Sequence, residues 1–378
     1  MKDFDFLVVG AGLFGATFAR RAADCGMRSL VIDRREHVSG NCFTESVDGI
    51  DVHRYGPHIF HTASDRVWAF VRRFGEFNKY QHRGRVSYKG RLYSFPINLA
   101  TLRQVWGVES AAEARERIAT ERVAIERPKS MKDWLLSQVG EELYEMFFRG
   151  YTLKQWGQDP ANLPAEIARR IPIRMTENDR YFKDSSVHEG IPVEGYTNLV
   201  ASILDAPQIR VELGVDYFSH REQLSRQARR VVFSGKIDQY FGYERGRLAY
   251  RSLRFDDERL QGDYQSVAIV NYTDEAVPFT RITEHKHFAP SSVNHTIVTR
   301  EYSMPHDRCN EPYYPVRDAA NNAVLAQYEK LAGGTSVVFG GRLASYRYLD
   351  MDQVIAQAIR KADSAMEGSL GRTLTTRV

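Results

Sequence analysis

Gly10, Gly12 and Gly15 follow directly on the apolar run FDFLVV (4–9) and open a helix-like stretch, ATFARRAADCG. A second apolar run, SLVID (29–33), ends in an acid, Asp33. Strand, GxGxxG, helix, strand and acid occur here in the order that a dinucleotide-binding βαβ unit requires. Gly10 permits the tight turn, Gly12 lets the main chain approach a pyrophosphate at the helix N-terminus, and Gly15 allows close helix–strand packing. Asp33 is placed to accept hydrogen bonds from a ribose hydroxyl. An unliganded glycine-rich turn would account for the glycines but not for the flanking elements and the acid in register. The fingerprint does not choose between a nicotinamide and a flavin dinucleotide.

A second set of reactive types lies further on. YTLKQWG (151–157) brackets a lysine and a glutamine with two large aromatics, Tyr151 and Trp156, just before a glycine. Such a segment suits a flat or charged ligand, although Trp156 could equally cap the core of a helical unit. Arg170 and Arg281 carry the planar fork that matches a pyrophosphate, but a lone arginine among 52 basic residues is usually solvated. Tyr313 in EPYYPV could be an ordinary turn aromatic. His58 and His61 are three residues apart without an apparent third ligand, so a metal centre is not expected. No motif supplies the carboxylate pair of a glycosidase.

The elements that must position these residues alternate in type. RVSYKGRLYSF (85–95) reads as a β-hairpin. Stretches 109–126, 131–149 and 195–204 carry helical signals, and Pro-bearing loops occupy 158–173. RVELGVDY (210–217), RRVVFSG (229–235) and SVVFGGR (336–342) read as strands, as do YQSVAIVNYT (264–273) and NHTIVTREYS (294–303). Helices are expected near 318–332 and 351–364. The fold expected is α/β: a discontinuous Rossmann-like domain from 1–78, 187–240 and 330–378, a helical insertion at 96–186, and an antiparallel β-sheet domain from 79–95 and 241–329.

Composition narrows the classes. The 378 residues carry a net charge of +4 without a long basic tract, which does not suggest nucleic acid. Cys25, Cys42 and Cys309 are odd in number and unpaired in pattern, which fits a reducing compartment. No apolar run approaches the ~20 residues of a membrane span, so a cytoplasmic protein without membrane insertion is expected.

DRREHVSGN (33–41) resembles FAD enzymes of the amine-oxidase type. Across the chain, GAGLFG, YGPHIFHT (55–62), YTLKQWG, RRIPIR (169–174), NDRYF (178–182), NYTD (271–274), TRITEHKHF (280–288), EPYYPV (311–316) and GGRLASYRYLDMDQV (340–354) resemble the UDP-galactopyranose mutase family. The motifs occur in the family's order over nearly the whole sequence. The resemblance implies a flavoprotein isomerase that interconverts UDP-galactopyranose and UDP-galactofuranose. In the family, N5 of reduced FAD attacks the anomeric carbon and the reaction passes through a flavin–sugar iminium. It also implies a homodimer.

By motif match, the resemblance implies that Arg170 and Arg281 clamp the pyrophosphate, helped by Tyr151, Tyr181, Tyr313 and Tyr348. Phe147 and Trp156 would line the uridine and a mobile cover, with Asn271 and Arg251 as further substrate-binding residues. Gly10, Gly12, Phe14, Gly15, Asp33, Arg34, Gly40, Asn41 and Val215 would hold the adenosine and diphosphate side of FAD. His58, Ile59, Arg342, Asp350 and Met351 would approach its ring, with His58 and His61 in a histidine-bearing loop beside the flavin. This chain has Asp33 where many members have glutamate, VSGN where a double glycine is common, and SVHEGI without a tyrosine–glutamine pair. The alternatives are a mutase for a related UDP-sugar such as UDP-N-acetylgalactosamine, an FAD-dependent oxidoreductase of amine-oxidase type, and a nucleotide-sugar-binding protein without catalysis.

Overall fold

The computed structural model describes residues 2–169, 171–307 and 310–374, with side chains as far as Glu367. Arg170 and Cys309 therefore lie outside the described residues. The run FDFLVV forms β1 (Phe4–Val9), whose Leu7 and Val8 are buried on opposite faces. That two-sided burial explains why the run is apolar without alternation. Strand β1 is central in a five-stranded parallel sheet, ordered Val338–Phe339, Ala228–Phe233, β1, β2 (Ser29–Ile32) and Ile209–Glu212. Helix α1 (Leu13–Ala23) lies between this sheet and the final helix, Met351–Leu374. Ala16, Ala19 and Ala22 on α1 share one buried cluster with Ala358 and Ala362. Such small side chains let helix backbones approach closely.

A seven-stranded sheet stands beside it, ordered Tyr314–Pro315, Tyr250–Gln261, His295–Pro305, Arg281–Glu284, Ile269–Tyr272, Gly84–Tyr88 and Arg91–Phe95. It is antiparallel except that Ile269–Tyr272 and Gly84–Tyr88 run parallel, a departure from the all-antiparallel expectation. The two strands are far apart in sequence, so no tight turn dictates their relative direction. The strand expected over 264–273 begins only at Ile269. The Glu284 carboxylate accepts the main-chain N–H groups of Tyr264 and Gln265, at 2.9 and 2.7 Å, and withdraws them from the ladder.

The intervening segment is helical, with its starts fixed by side-chain caps. Asn98 and Thr101 form a reciprocal capping box, Ser110 caps Ala111–Glu121, and Ser130 with Asp133 caps Met131–Tyr144. The helix expected over 131–149 is broken at Gly140, where φ is 79°. A Cβ there would sit 2.4 Å from the Glu121 carbonyl oxygen, so only glycine fits against the preceding helix. Glu145–Arg149 then forms a π-helical turn that leads into the helix Gly150–Trp156. Extra-residue turns of this kind re-aim the side chains that follow.

Candidate active site

At the carboxyl ends of β1 and β2 the structure opens a cavity of about 1070 Å³, the usual ligand position in an open parallel sheet. A Cβ on Gly15 would meet the Gly10 carbonyl oxygen at 1.9 Å, so the close helix–strand packing expected of Gly15 is real. Gly12 and Gly40 bring two main chains together: a Cβ on Gly40, whose φ is 56°, would lie 3.1 Å from Gly12 Cα. The first turn of α1 has neither a side-chain cap nor an acidic residue, so its N–H groups can receive a phosphate. Asp33 is held rigidly: Oδ2 accepts the Ala11 N–H at 2.8 Å and Oδ1 the Arg35 N–H at 3.0 Å. Phe14, Arg34, Asn41 and Val215 also line this cavity. Arg34 is ion-paired to Glu311, and Asn41 Oδ1 accepts from Arg35. A backbone cradle, an uncapped helix start and a fixed carboxylate fit the ADP half of a dinucleotide.

A second cavity, about 430 Å³, adjoins the first. Both are lined by Asn41, His58, Tyr313, Arg342 and Met351, so these five residues mark where the two meet. One wall is a row across the seven-stranded sheet: Val86 opposite Asn271, Asn271 opposite Arg281, and Arg281 opposite Glu301. Directly paired residues share a face, and Val86, Asn271 and Arg281 all reach the cavity. Arg281 Nε and Nη2 lie 2.8 and 2.7 Å from Glu301 Oε2. Burial works against the charged guanidinium, but Glu301 and the nearby tyrosines more than offset it and hold Arg281 well above its ordinary range.

The opposite wall comes from the helices. Phe147 on the π-helical turn, and Tyr151, Gln155 and Trp156 on Gly150–Trp156, line the cavity together with Tyr181. Tyr313, Tyr314 and Tyr348 close another side; Tyr314 and Tyr348 stack at 5.5 Å, and Arg342 lies 4.8 Å over Tyr348. Burial raises Tyr151, Tyr313 and Tyr314, so their phenols stay protonated and can donate to an anion. His58 Nδ1 donates to the Gly56 carbonyl at 2.7 Å. Burial, reinforced by Arg342 and Arg281, brings His58 down to about 4. It is therefore a neutral imidazole with Nε2 as acceptor. His61 stacks on Phe182 at 3.7 Å and reaches Ser186.

Most of the expected residues converge on these two cavities. Ile59 and Asp350 line the second cavity. Arg251 lines neither. Its Nε donates to the Gln155 carbonyl at 3.1 Å and its Nη2 to that of Lys154 at 3.2 Å, so it closes the end of Gly150–Trp156 where unpaired carbonyls gather. Sequence reasoning missed Gln155, which is buried and whose Oε1 accepts no hydrogen bond among the described residues. It also missed Glu301, the anchor of Arg281, and Tyr314.

A family model described as "UDP-galactopyranose mutase" matches residues 146–348, and one described as "NAD(P)-binding Rossmann-like domain" matches 8–74. A dTDP-fucopyranose mutase of Escherichia coli is 42% identical over 94% of this chain and 97% of its own length. A probable UDP-galactopyranose mutase of Klebsiella pneumoniae is 39% identical over 96% of this chain and 95% of its own. A crystal structure of reduced UDP-galactopyranose mutase superposes with a TM-score of 0.73 at 14% identity, covering 96% of each chain. Two Pseudomonas dehydrogenases, of pseudooxynicotine and of nicotine, match only 19% of the chain, which sets the oxidoreductase alternative aside. Full-length identity, the shared fold and a dinucleotide cradle opening into a second cavity agree: the chain belongs to the UDP-galactopyranose mutase family, isomerases whose cofactor is FAD.

Proposed function

We propose that this protein interconverts UDP-galactopyranose and UDP-galactofuranose on reduced FAD. The observation that carries this reading is the meeting of the two cavities at Asn41, His58, Tyr313, Arg342 and Met351. A sugar held in the smaller cavity is thereby presented to a flavin ring entering from the larger one. Reduced flavin, when bound, supplies the nucleophile for the anomeric carbon. The protein's part is binding, orientation and charge. Gly12, Gly40 and Asp33 would hold the ADP portion. Arg281, the neutral phenols of Tyr151 and Tyr313, and the hydroxyls of Tyr181 and Tyr348 would bind the pyrophosphate and stabilise the charge it gains as the anomeric bond breaks. Phe147, Tyr151 and Trp156 would sandwich the pyrimidine, and the Gln155 amide offers a donor and an acceptor to its imide edge. Neutral His58 offers Nε2 as a hydrogen-bond acceptor where the cavities meet.

The direct test follows UDP-galactofuranose by chromatography with the dithionite-reduced holoenzyme. Conversion to UDP-galactopyranose only in the reduced state supports the reading; a yellow but inert protein overturns it. The Escherichia coli relative favours one second reading, a dTDP-6-deoxyhexose as substrate. A higher kcat/KM for dTDP-fucofuranose in the same assay would establish it.

Two further outcomes are expected. Asp33→Ala should weaken flavin retention about tenfold or more, since it removes a carboxylate acceptor from the ribose site; flavin content after dialysis checks this. Gln155→Leu should weaken UDP binding to the oxidised holoenzyme by about tenfold, because the pyrimidine edge is left buried and unpaired. Calorimetric titration with UDP reads the change, and unaltered affinity would remove Gln155 from the pyrimidine site.

A further inference from the structure

Helix Gly150–Trp156 sends Tyr151, Gln155 and Trp156 into the substrate cavity, but its lysine goes elsewhere. Lys154 Nζ lies within hydrogen-bond distance of the main-chain carbonyl oxygens of Tyr272 (2.8 Å), Asp274 (2.8 Å), Val277 (2.9 Å) and Phe279 (3.1 Å). An ammonium has only three N–H groups. Four carbonyls around it act as a shell of dipoles, as they do around a bare cation in a channel filter. Tyr272 ends the strand that carries Asn271, and the other three lie on the connection from it to the strand that begins at Arg281. Burial pushes Lys154 down to about 8, with Asp274 and Glu275 acting the other way, so the ammonium is retained at neutral pH.

The same connection is fastened to the helix start and to the π-helical turn before it. Thr273 Oγ1 donates to the Met146 carbonyl at 2.6 Å, and Arg149 pairs with Glu275. Gly150 lies so close to the connection that a Cβ would be 2.1 Å from the Thr273 carbonyl oxygen. The far end of the helix is held from the neighbouring strands, with Ser303 Oγ donating to the Gln155 carbonyl at 2.7 Å.

We propose that Lys154 is a positioning residue whose ammonium fixes the separation between Arg281 and the helix face bearing Tyr151, Gln155 and Trp156. The phosphate-binding and pyrimidine-binding groups stand on different elements. The carbonyl shell joins them from within the helix itself, beside the Arg149–Glu275 pair at its start, so it sets the spacing that a nucleoside diphosphate must match. The inference rests on the nucleotide-sugar reading of the cavity.

Lys154→Met keeps most of the apolar stem and removes the charge. In the reduced holoenzyme its KM for the nucleotide sugar should rise about tenfold with kcat changed less than about twofold, the signature of lost uniform binding. Flavin content and melting temperature should stay near the parent's. Lys154→Ala leaves the carbonyl shell without its cation, and ethylammonium chloride should lower its KM toward the parent value where equal sodium chloride does not. Hydrogen exchange, which needs no ligand, should quicken together in 150–156 and 272–280 and nowhere else. A parental KM in Lys154→Met, sodium as effective as ethylammonium, or unchanged exchange in those segments each overturns the proposal. If the parent protein itself fails to bind UDP, the nucleotide-sugar reading falls; exchange protection, and its recovery in ethylammonium, then decides the link alone.

Discussion

Arg281→Ala should lower turnover by about 10²–10³-fold while the protein keeps its flavin, the usual size of effect when one preorganised donor is removed from a site where charge develops. Arg281 begins the central strand of its seven-stranded sheet, and its register opposite both Asn271 and Glu301 fixes where the guanidinium can go. It lines the second cavity and not the dinucleotide cavity, so cofactor content and the visible spectrum should be unchanged. Arg281→Lys should recover little, because a point charge on a flexible stem does not reproduce a planar fork already braced by a carboxylate. The measurement is kcat and KM for the reduced variant alongside its flavin content. Turnover within about threefold of the parent, against the expected 10² or more, would remove Arg281 from the reaction.

The dinucleotide half of the site is legible because its constraints are local and written in the backbone. Gly10, with φ of 109°, Gly15 pressed on a carbonyl, and Asp33 at the end of β2 need only their immediate neighbours to be understood. The substrate half is less so. Tyr151 and Trp156 stand out by type, whereas Gln155 becomes informative only once burial leaves its oxygen without a partner among the described residues. Glu301 is invisible for another reason: its partner is 20 residues away and meets it only through strand pairing. Arg251 shows the converse error, since an arginine near the site by motif turns out to serve a helix end. The break at Gly140 was hidden because apolar spacing on both sides continues a helical pattern, and only the approach of Glu121 forces the positive φ.

The pairing of Arg281 with Glu301 leads to the second large effect, on stability. Glu301 is almost completely buried, and it also accepts from Thr280 Oγ1 at 3.2 Å. Glu301→Ala would leave the Arg281 guanidinium mostly enclosed without its counter-charge. Breaking a buried pair by removing one partner costs about 3–5 kcal/mol, a large part of the total stability of an ordinary domain. Unfolding by urea, compared at matched flavin content because bound cofactor itself stabilises, should show that loss. A variant carrying both Glu301→Leu and Arg281→Met should regain most of it, since apolar groups of similar volume remove the uncompensated charge. It should nevertheless be as inactive as Arg281→Ala. Stability recovered without activity would separate the two duties of this pair: the carboxylate makes a buried cation tolerable, and the cation is there for the pyrophosphate. If Glu301→Ala unfolds at the parent's urea concentration, solvent reaches Arg281 freely, and the strong phosphate clamp argued for it loses its low-dielectric setting.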